Sequence, residues 1–249
     1  HEIRNPLNAV IGMSHLLMDE NPSEAQLEFL RPLHLSSKHL LSLVNDILDY
    51  SKLDVGKVTI DHSDFNLAEI CEDIQQNFVH LASKKGLQLK FITAKVAHNF
   101  KGDVIRINQI LNNLIGNAIK FTDSGSVSVR SEIVEEDGHQ SKLMFRVKDT
   151  GIGISNKDQE KVFQQFEQLK GGKTRKYEGT GLGLAICKKL VGLLGGEIGL
   201  SSKLGAGSEF WFCLPIEKGE PIDLDTKSKA EKKLLSASLL AGMKVLLVE

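Results

Sequence analysis

The chain has 249 residues, of which 41% are hydrophobic and 25% charged, and its net charge at pH 7 is -1. This length accommodates one or two domains with a sizeable core, and the balanced charge gives no reason to expect nucleic acid or an anionic membrane as a partner. No apolar run reaches membrane-spanning length, and three isolated cysteines without metal-like spacing are typical of a reducing compartment.

The first 53 residues have the pattern of two amphipathic helices. The first helix is predicted from His1 to about Met18, before Asn21-Pro22 breaks it. The sequence SEAQ at residues 23–26 has the form of a capping box that opens the second helix, and Pro32 is expected to bend that helix or delay its start. A lone hairpin cannot bury the apolar faces of both helices, so the pattern favours a helical dimer.

Beyond Val55, short strands and helices are mixed without a strict alternation. This mixture favours an α+β sandwich in which helices cover one face of a mixed sheet. After Pro215 the composition becomes polar and lysine-rich, as in a linker. Strands are predicted at 58–63, 86–93, 126–134, 143–148, 197–201 and 209–214, and helices at 67–83, after Ser155, and at 182–194.

A further helix is predicted over residues 108–122, NQILNNLIGNAIKFT. Asn113, Asn117 and Lys120 are four and then three residues apart, which places them along one stripe of this helix. Carboxamides and an ammonium group could hold a hydrated Mg²⁺ and adjacent phosphates. By itself such a stripe is equally a solvated helix face, so both interpretations stay open on these residues alone.

The sequence DTGIGI at residues 149–154 follows a predicted strand and precedes a helix. The carboxylate of Asp149 could accept a hydrogen bond from an exocyclic amine on a flat nitrogenous ring, and Gly151 and Gly153 would let the backbone approach that ring. An ordinary turn containing an aspartate is the alternative.

The sequence GTGLGL at residues 179–184 opens a predicted helix, where unshielded backbone amides can bind an anion. Glycine-rich turns of this kind also occur without a ligand. Residues 169–178 are rich in glycine and lysine and include Arg175, a composition typical of a mobile lid with basic groups available to phosphates.

Five motifs together resemble those of the sensor histidine kinases, in the same order and spacing. HEIRNP at residues 1–6 resembles the phosphoacceptor box, residues 108–122 the N box, DTGIGI the first glycine box, FQQF at 163–166 the F box, and GTGLGL the second glycine box. The resemblance covers about residues 1 to 216. It implies a helical-hairpin dimerisation domain, a four-helix bundle in the dimer, followed by an α/β sandwich ATP-binding domain of the gyrase and histidine-kinase type.

The resemblance also divides the chain into segments. Residues 1–54 would form the dimerisation and phosphotransfer hairpin, truncated at its N-terminus because the family places its histidine in mid-helix. Residues 55–218 would form the catalytic ATP-binding domain and 219–242 a linker. The sequence MKVLLVE at 243–249 resembles the start of a receiver domain, so we expect the parent to be a hybrid kinase.

The activity that the resemblance implies is ATP-dependent autophosphorylation, followed by transfer to an aspartate of a response-regulator receiver domain. His1 would take the γ-phosphoryl group, Glu2 would act as the acid/base residue, and Asn5 would orient a water for dephosphorylation of the partner. The alternatives are a dimeric scaffold that binds nucleotide without chemistry and a hydrolytic ATPase.

The implied Mg²⁺ ligand is Asn113, and the implied ATP-binding residues are Asn113, Asn117, Lys120, Asp149, Gly151, Gly153, Phe166, Arg175, Gly179, Thr180, Gly181, Leu182 and Gly183.

The expected partners are a second copy of the chain, through the hairpin, and a receiver domain in the same parent chain. Nucleic acid is not expected, membrane contact is expected only through a region before His1, and the expected location is cytoplasmic. Ordinary surface or packing roles are expected for the other histidines, which are His15, His34, His39, His62, His80, His98 and His139.

Overall fold

The computed structural model of the chain describes residues 2–56, 58–167 and 180–221. Three predicted site residues, His1, Arg175 and Gly179, lie outside these ranges. So do most of the predicted linker and the predicted receiver strand at 243–249. None of the helices in the described ranges has the length and apolar character needed to cross a membrane.

The N-terminal part of the chain is a helical hairpin, as predicted. Helix α1 spans Arg4–Asp19 and helix α2 spans Glu24–Asp54. The capping box is confirmed, because the Ser23 amide donates to Gln26 Oε1 at 2.8 Å while the Gln26 amide donates to Ser23 Oγ at 3.4 Å. Pro32 lies within α2 and does not delay its start.

The rest of the chain forms a seven-stranded mixed sheet with helices on one face, which confirms the predicted α+β sandwich. The strand order is β1-β3-β7-β5-β4-β2, and β6 also pairs with β7. The strands β2 and β4 are parallel, and all other pairs are antiparallel. The strands are β1 Ser63–Phe65, β2 Gln88–Ile92, β3 His98–Gly102, β4 Ser126–Asp137, β5 Gln140–Asp149, β6 Glu197–Lys203 and β7 Gly207–Pro221.

The core lies between the sheet and its helices, which are α3 Leu67–Lys84, α4 Val104–Lys120, α5 Asn156–Gln159 and α6 Gly183–Leu193. Alternate residues of β5 from Ser141 to Asp149 are buried, as expected for a strand with one face against a core. Phe145 on β5 stacks on Phe212 of β7, with ring centroids 4.9 Å apart. This packing fixes where β5 ends, and therefore where Asp149 lies.

Two element predictions differ from the structure, and one strand was not predicted. The strand predicted at 58–63 is wrong, because β1 covers Ser63–Phe65, where Phe65 packs on Phe100. Its partner β3 was not predicted, since the sequence HNFKG contains a single apolar residue and gives no periodic signal. The helix after Ser155 exists but has four residues, and the Ser155 hydroxyl donates to Asp158 Oδ2 at 2.6 Å instead of capping a backbone amide.

The strand β7 continues beyond residue 218, where the sequence predicts the linker to begin. Its last residue, Pro221, is paired with His98 of β3. Residues 219–221 therefore belong to the sheet.

Candidate functional site

A cavity of about 410 Å³ lies between α4, the loop that follows β5, the start of α6 and one face of α2. Residues of the predicted N box and of both predicted glycine boxes meet here, although they are separated in the sequence by up to 70 residues. Eight of the residues implied for ATP binding line it: Asn113, Asn117, Lys120, Asp149, Gly153, Thr180, Gly181 and Gly183.

The polar stripe of α4 forms one wall of the cavity. Asn117 Nδ2 donates to Asn113 Oδ1 at 3.0 Å, and both side chains and Lys120 are half-buried. The start of α6 packs directly on this wall, because a Cβ at Gly183 would collide with the carboxamide of Asn113. The stripe therefore faces a ligand-sized space.

Asp149 is the last residue of β5 and is buried, with 5% of its surface exposed. Its Oδ1 accepts hydrogen bonds from the amides of Gly151 at 2.8 Å and Ser208 at 3.2 Å. Burial raises the pKa of this carboxyl above its usual range, and the two amides partly oppose the rise. Because both bonds end on Oδ1, the other oxygen is the one suited to accept a hydrogen bond from a ligand.

The loop after β5 is held in place by a glycine that no other residue could replace without strain. Gly153 has φ +66°, and a Cβ there would collide with the carbonyl oxygen of Lys203. The Ile152 amide donates to Phe121 O at 3.3 Å, which joins this loop to the end of α4.

Apolar side chains form the remaining walls, and sequence reasoning did not find them. They suit a flat, weakly polar ring, as in other pockets where a few polar groups set orientation. They are Ile152, Ile154, Val162, Leu184 and Phe210.

Three residues of α2 also line the cavity, although the hairpin and this domain were predicted as separate units. They are His39, Ser42 and Asp46. Thr180 lines the same cavity as Asp46. Burial raises the pKa of Asp46, the nearby Thr180 hydroxyl opposes this rise, and the charge of Asp49 adds to it. His39, expected to have an ordinary packing role, is thus part of the cavity wall.

Several predicted site residues do not line the cavity. Gly151 contacts Asp149 through its amide, and the Leu182 side chain is in the core at 1% exposure. Phe166, expected to contact ATP, has 65% of its surface exposed, and its amide donates to Gly181 O at 3.0 Å. The backbone of Phe166 therefore supports the second glycine loop, whereas its ring does not reach the cavity.

The predicted catalytic residues are elsewhere in the chain. Glu2 and Asn5 are exposed, in the turn before α1 and in its first turn, and neither lines the cavity. His1 lies outside the described residues.

The residues of the cavity fit a magnesium ion bound together with phosphates. The carboxamide oxygen of Asn113 is a hard donor of the kind that Mg²⁺ accepts, and this ion needs only one or two protein ligands because it keeps water and phosphate oxygens. In the described part of the chain, no cluster of three or more His, Cys, Asp or Glu side chains could hold a metal without such phosphates.

Comparison with known protein families matches both parts of the chain. Residues 1–56 match the His Kinase A (phospho-acceptor) domain. Residues 102–218 match the family described as histidine kinase-, DNA gyrase B-, and HSP90-like ATPase.

Similar proteins extend over almost the whole chain. The sensor protein GacS of Pseudomonas syringae pv. syringae is 40% identical over 219 residues, which are 88% of this chain and 24% of GacS. The hybrid signal transduction histidine kinase L of Dictyostelium discoideum is 40% identical over 225 residues, which are 90% of this chain and 13% of that protein. The chain thus spans a quarter or less of the length of these relatives.

A solved structure, full-length ShkA in complex with AMPPNP, superposes with a TM-score of 0.74 at 32% identity, covering 88% of this chain and 45% of ShkA. The two family matches, the relatives and this structure agree with the five motifs, three of which contribute residues to the cavity. The chain belongs to the histidine kinases, and it contains their phosphoacceptor domain and their ATPase-like domain.

Proposed function

We propose that this chain phosphorylates itself on His1 with ATP and passes the phosphoryl group to an aspartate of a receiver domain. The observation that carries the proposal is the composition of the cavity. A buried carboxylate among apolar walls suits an adenine ring, and the same cavity contains the Asn113–Lys120 stripe and the start of α6, which suit phosphates. The match to a phosphoacceptor domain favours kinase chemistry over a nucleotide-binding scaffold.

In the proposed reaction, the neutral imidazole of His1 attacks the γ-phosphorus of ATP. A nitrogen–phosphorus bond forms, the bond to the β-phosphate oxygen breaks, and ADP leaves. Glu2 accepts the proton from the other ring nitrogen. Phosphoryl transfer depends chiefly on positioning and charge neutralisation, so the remaining residues act by binding.

Each cavity residue has a binding role in this proposal. Asp149 accepts a hydrogen bond from the adenine amine, and Lys120 and Asn117 contact phosphates. Backbone amides at the start of α6 hold the triphosphate. Asn113 would hold Mg²⁺, which supplies charge neutralisation on the phosphate oxygens when it is bound.

The experiment uses γ-labelled ATP with Mg²⁺ and compares the wild type with His1→Gln and, as a control, His62→Gln, an exposed histidine outside both sites. Acid-labile, base-stable label on the wild type and on His62→Gln, and none on His1→Gln, is expected. Release of inorganic phosphate without labelled protein would indicate a hydrolytic ATPase instead. Nucleotide binding with neither product would indicate a scaffold.

We further propose that Asn5 serves dephosphorylation of the receiver. Asn5 lies in the first turn of α1, four residues after His1 in the sequence, and is exposed, so it is accessible to a partner protein. Asn5→Ala should keep autophosphorylation and lower the rate of receiver dephosphorylation. Asn8→Ala, at another exposed asparagine of α1, is the control. Equal loss of both activities in Asn5→Ala would contradict this role.

We place this region in the cytoplasm, as a homodimer. Its three cysteines are unpaired, which agrees with a reducing compartment. The similarity to a hybrid kinase supports a receiver in the same parent chain. The dimer is supported by the apolar surface of the hairpin, whose test is given in the Discussion.

A further inference from the structure

The C-terminal half of α2 contacts the ATPase-like domain along a single face. The Gln109 Nε2 group donates to Asp49 Oδ2 at 3.0 Å, and Asp54 forms an ion pair with Lys189. Tyr50 and Leu53, on the same face, pack against the core of that domain. The residues of this face recur at intervals of three and four, which places them on one side of the helix. They are 46, 49, 50, 53 and 54.

Asp46 lies one turn before these contacts and is the carboxylate that this face brings into the cavity wall. Thr180 lines the same cavity, and its Oγ1 accepts a hydrogen bond from the Leu182 amide at 3.1 Å. The Asp46 carboxylate thus shares this cavity with the residues at the start of α6.

The start of a helix attracts anions, because its first amides lack acceptors and the helix dipole is positive there. In the docked arrangement, the anion near this end of α6 is the carboxylate of Asp46, which belongs to the chain itself. The phosphates of a nucleotide would occupy the same surroundings, since Gly181 and Gly183 line the same cavity as Asp46. Two anions at one helix start repel each other, and this repulsion weakens ATP binding while Asp46 stays in place.

We propose that Asp46 is a restraint on nucleotide binding, supplied by the phosphoacceptor hairpin to the ATP site. Its carboxylate competes with the nucleotide phosphates for the start of α6, and it withdraws together with α2 when ATP binds. By linkage, ATP binding weakens the docking of α2 by the same factor by which docking weakens ATP binding. This inference rests on the proposed function, because it requires that the cavity binds ATP.

The test measures dissociation constants of Mg·ATP and of adenosine by calorimetry for the wild type and Asp46→Asn. Asparagine keeps an acceptor for Thr180 and removes the charge. The expected result is that Asp46→Asn binds Mg·ATP about fivefold to tenfold more tightly, within the usual range of coupling between sites. Adenosine has no phosphates, so its affinity should be equal in both proteins. The difference for ATP should shrink as salt is raised.

Two sets of controls separate charge from docking. Asp46→Glu retains the carboxylate and should bind ATP as the wild type does. Asp49→Asn and Asp54→Asn remove docking contacts but leave the charge in the cavity wall unchanged, and they should tighten ATP binding less than Asp46→Asn.

Three results would overturn the proposal: unchanged ATP affinity in Asp46→Asn, equal tightening in all three asparagine variants, or weaker Mg·ATP binding in Asp46→Asn, which would make Asp46 a ligand of the metal. In each of these cases the wild type still binds ATP, and the proposed function stands. A wild type that binds neither ATP nor adenosine would overturn both.

Discussion

On the α4 stripe, Asn113 lies between Asn117 and the start of α6. Its oxygen accepts a hydrogen bond from Asn117, and Gly183 leaves no room for it to move toward α6. Small changes of charge at this position therefore act directly on the proposed phosphate and Mg²⁺ site.

Asn113→Asp should lower the affinity for Mg·ATP by about tenfold or more, because it adds a negative charge beside the phosphates and removes the donor half of the amide. The fold should persist, since the stripe faces the ligand and an aspartate can still accept from Asn117. Asn112→Asp, the same change at the exposed neighbouring residue, is the control for calorimetry and circular dichroism. Equal ATP affinity in the two variants would contradict the assignment.

Asp149 provides a pH-dependent prediction. The pKa of its carboxyl is raised by burial, so between the unfolded pKa of about 3.9 and the higher folded pKa the folded state binds more protons than the unfolded state. The contribution of this group to the free energy of unfolding is therefore largest below the unfolded pKa and is lost as pH rises through the folded pKa. Asp149→Asn, which cannot ionise and can still accept from Gly151 and Ser208, should gain stability relative to the wild type over that pH range.

The same variant should lose nucleotide affinity by about tenfold or more, because an asparagine whose oxygen keeps both backbone bonds presents an amide donor to the adenine amine. Denaturant unfolding at several pH values and calorimetry with ATP measure the two effects. Asp73→Asn, at an exposed aspartate of α3, is the matched control. A stability difference that does not change with pH would show that burial of Asp149 has no such effect.

At the scale of elements, α4 is held by a lysine from the end of α3. Lys85 Nζ donates to the carbonyl oxygens of Ile119 at 2.8 Å, Lys120 at 2.9 Å and Thr122 at 3.2 Å. The three donors of the ammonium group thus meet carbonyl oxygens at the end of α4, where the helix dipole is negative. This contact fixes the end of the helix that presents Lys120 to the cavity.

Lys85→Met should lower the free energy of unfolding by about 2 kcal/mol, because it leaves the half-buried carbonyls without this donor. It should also weaken ATP binding, since the end of α4 joins the loop after β5 through Phe121 O. Thermal unfolding and ATP titration are the measurements, Lys84→Met is the matched control, and Lys85→Arg should restore both properties in part. A loss of stability without loss of ATP affinity would limit Lys85 to a purely structural role.

At the scale of the whole molecule, the hairpin presents apolar side chains at intervals of seven residues. A surface with this spacing is the seam along which helices associate. Its members are 37% to 59% exposed, and they are Ile3 directly before α1, Val10 and Leu17 on α1, and Leu33, Leu40 and Ile47 on α2.

We expect the chain to be a dimer in solution through this seam, and the double variant Leu33→Lys with Leu40→Lys to be monomeric in light scattering, because it would bury two charges in the interface. Ile105→Lys, a similar change at an exposed residue of α4, should leave the dimer intact. A hairpin variant that remains dimeric, or a monomeric wild type, would contradict this prediction.

The amino-acid sequence alone determined the features that depend on neighbours within one or two helical turns. The capping box at Ser23 and Gln26, the extent of most helices and the stripe on α4 follow from local spacing, and the structure contains them. The motifs also predicted which loops meet, because their order is that of a known family. Short polar segments such as β3 have no such local signal, and only pairing with β1 and β7 makes β3 a strand.

The tertiary structure decided what surrounds the site. Asp46 and Thr180 are more than a hundred residues apart, and nothing in the spacing of either segment specifies that a face of α2 closes the cavity. Phe166 belongs to a recognised motif, yet its ring is exposed, and it is its backbone amide that contacts the second glycine loop, through Gly181. Sequence motifs indicate which residue types a reaction requires. The contacts between distant elements depend instead on how whole packed surfaces fit together.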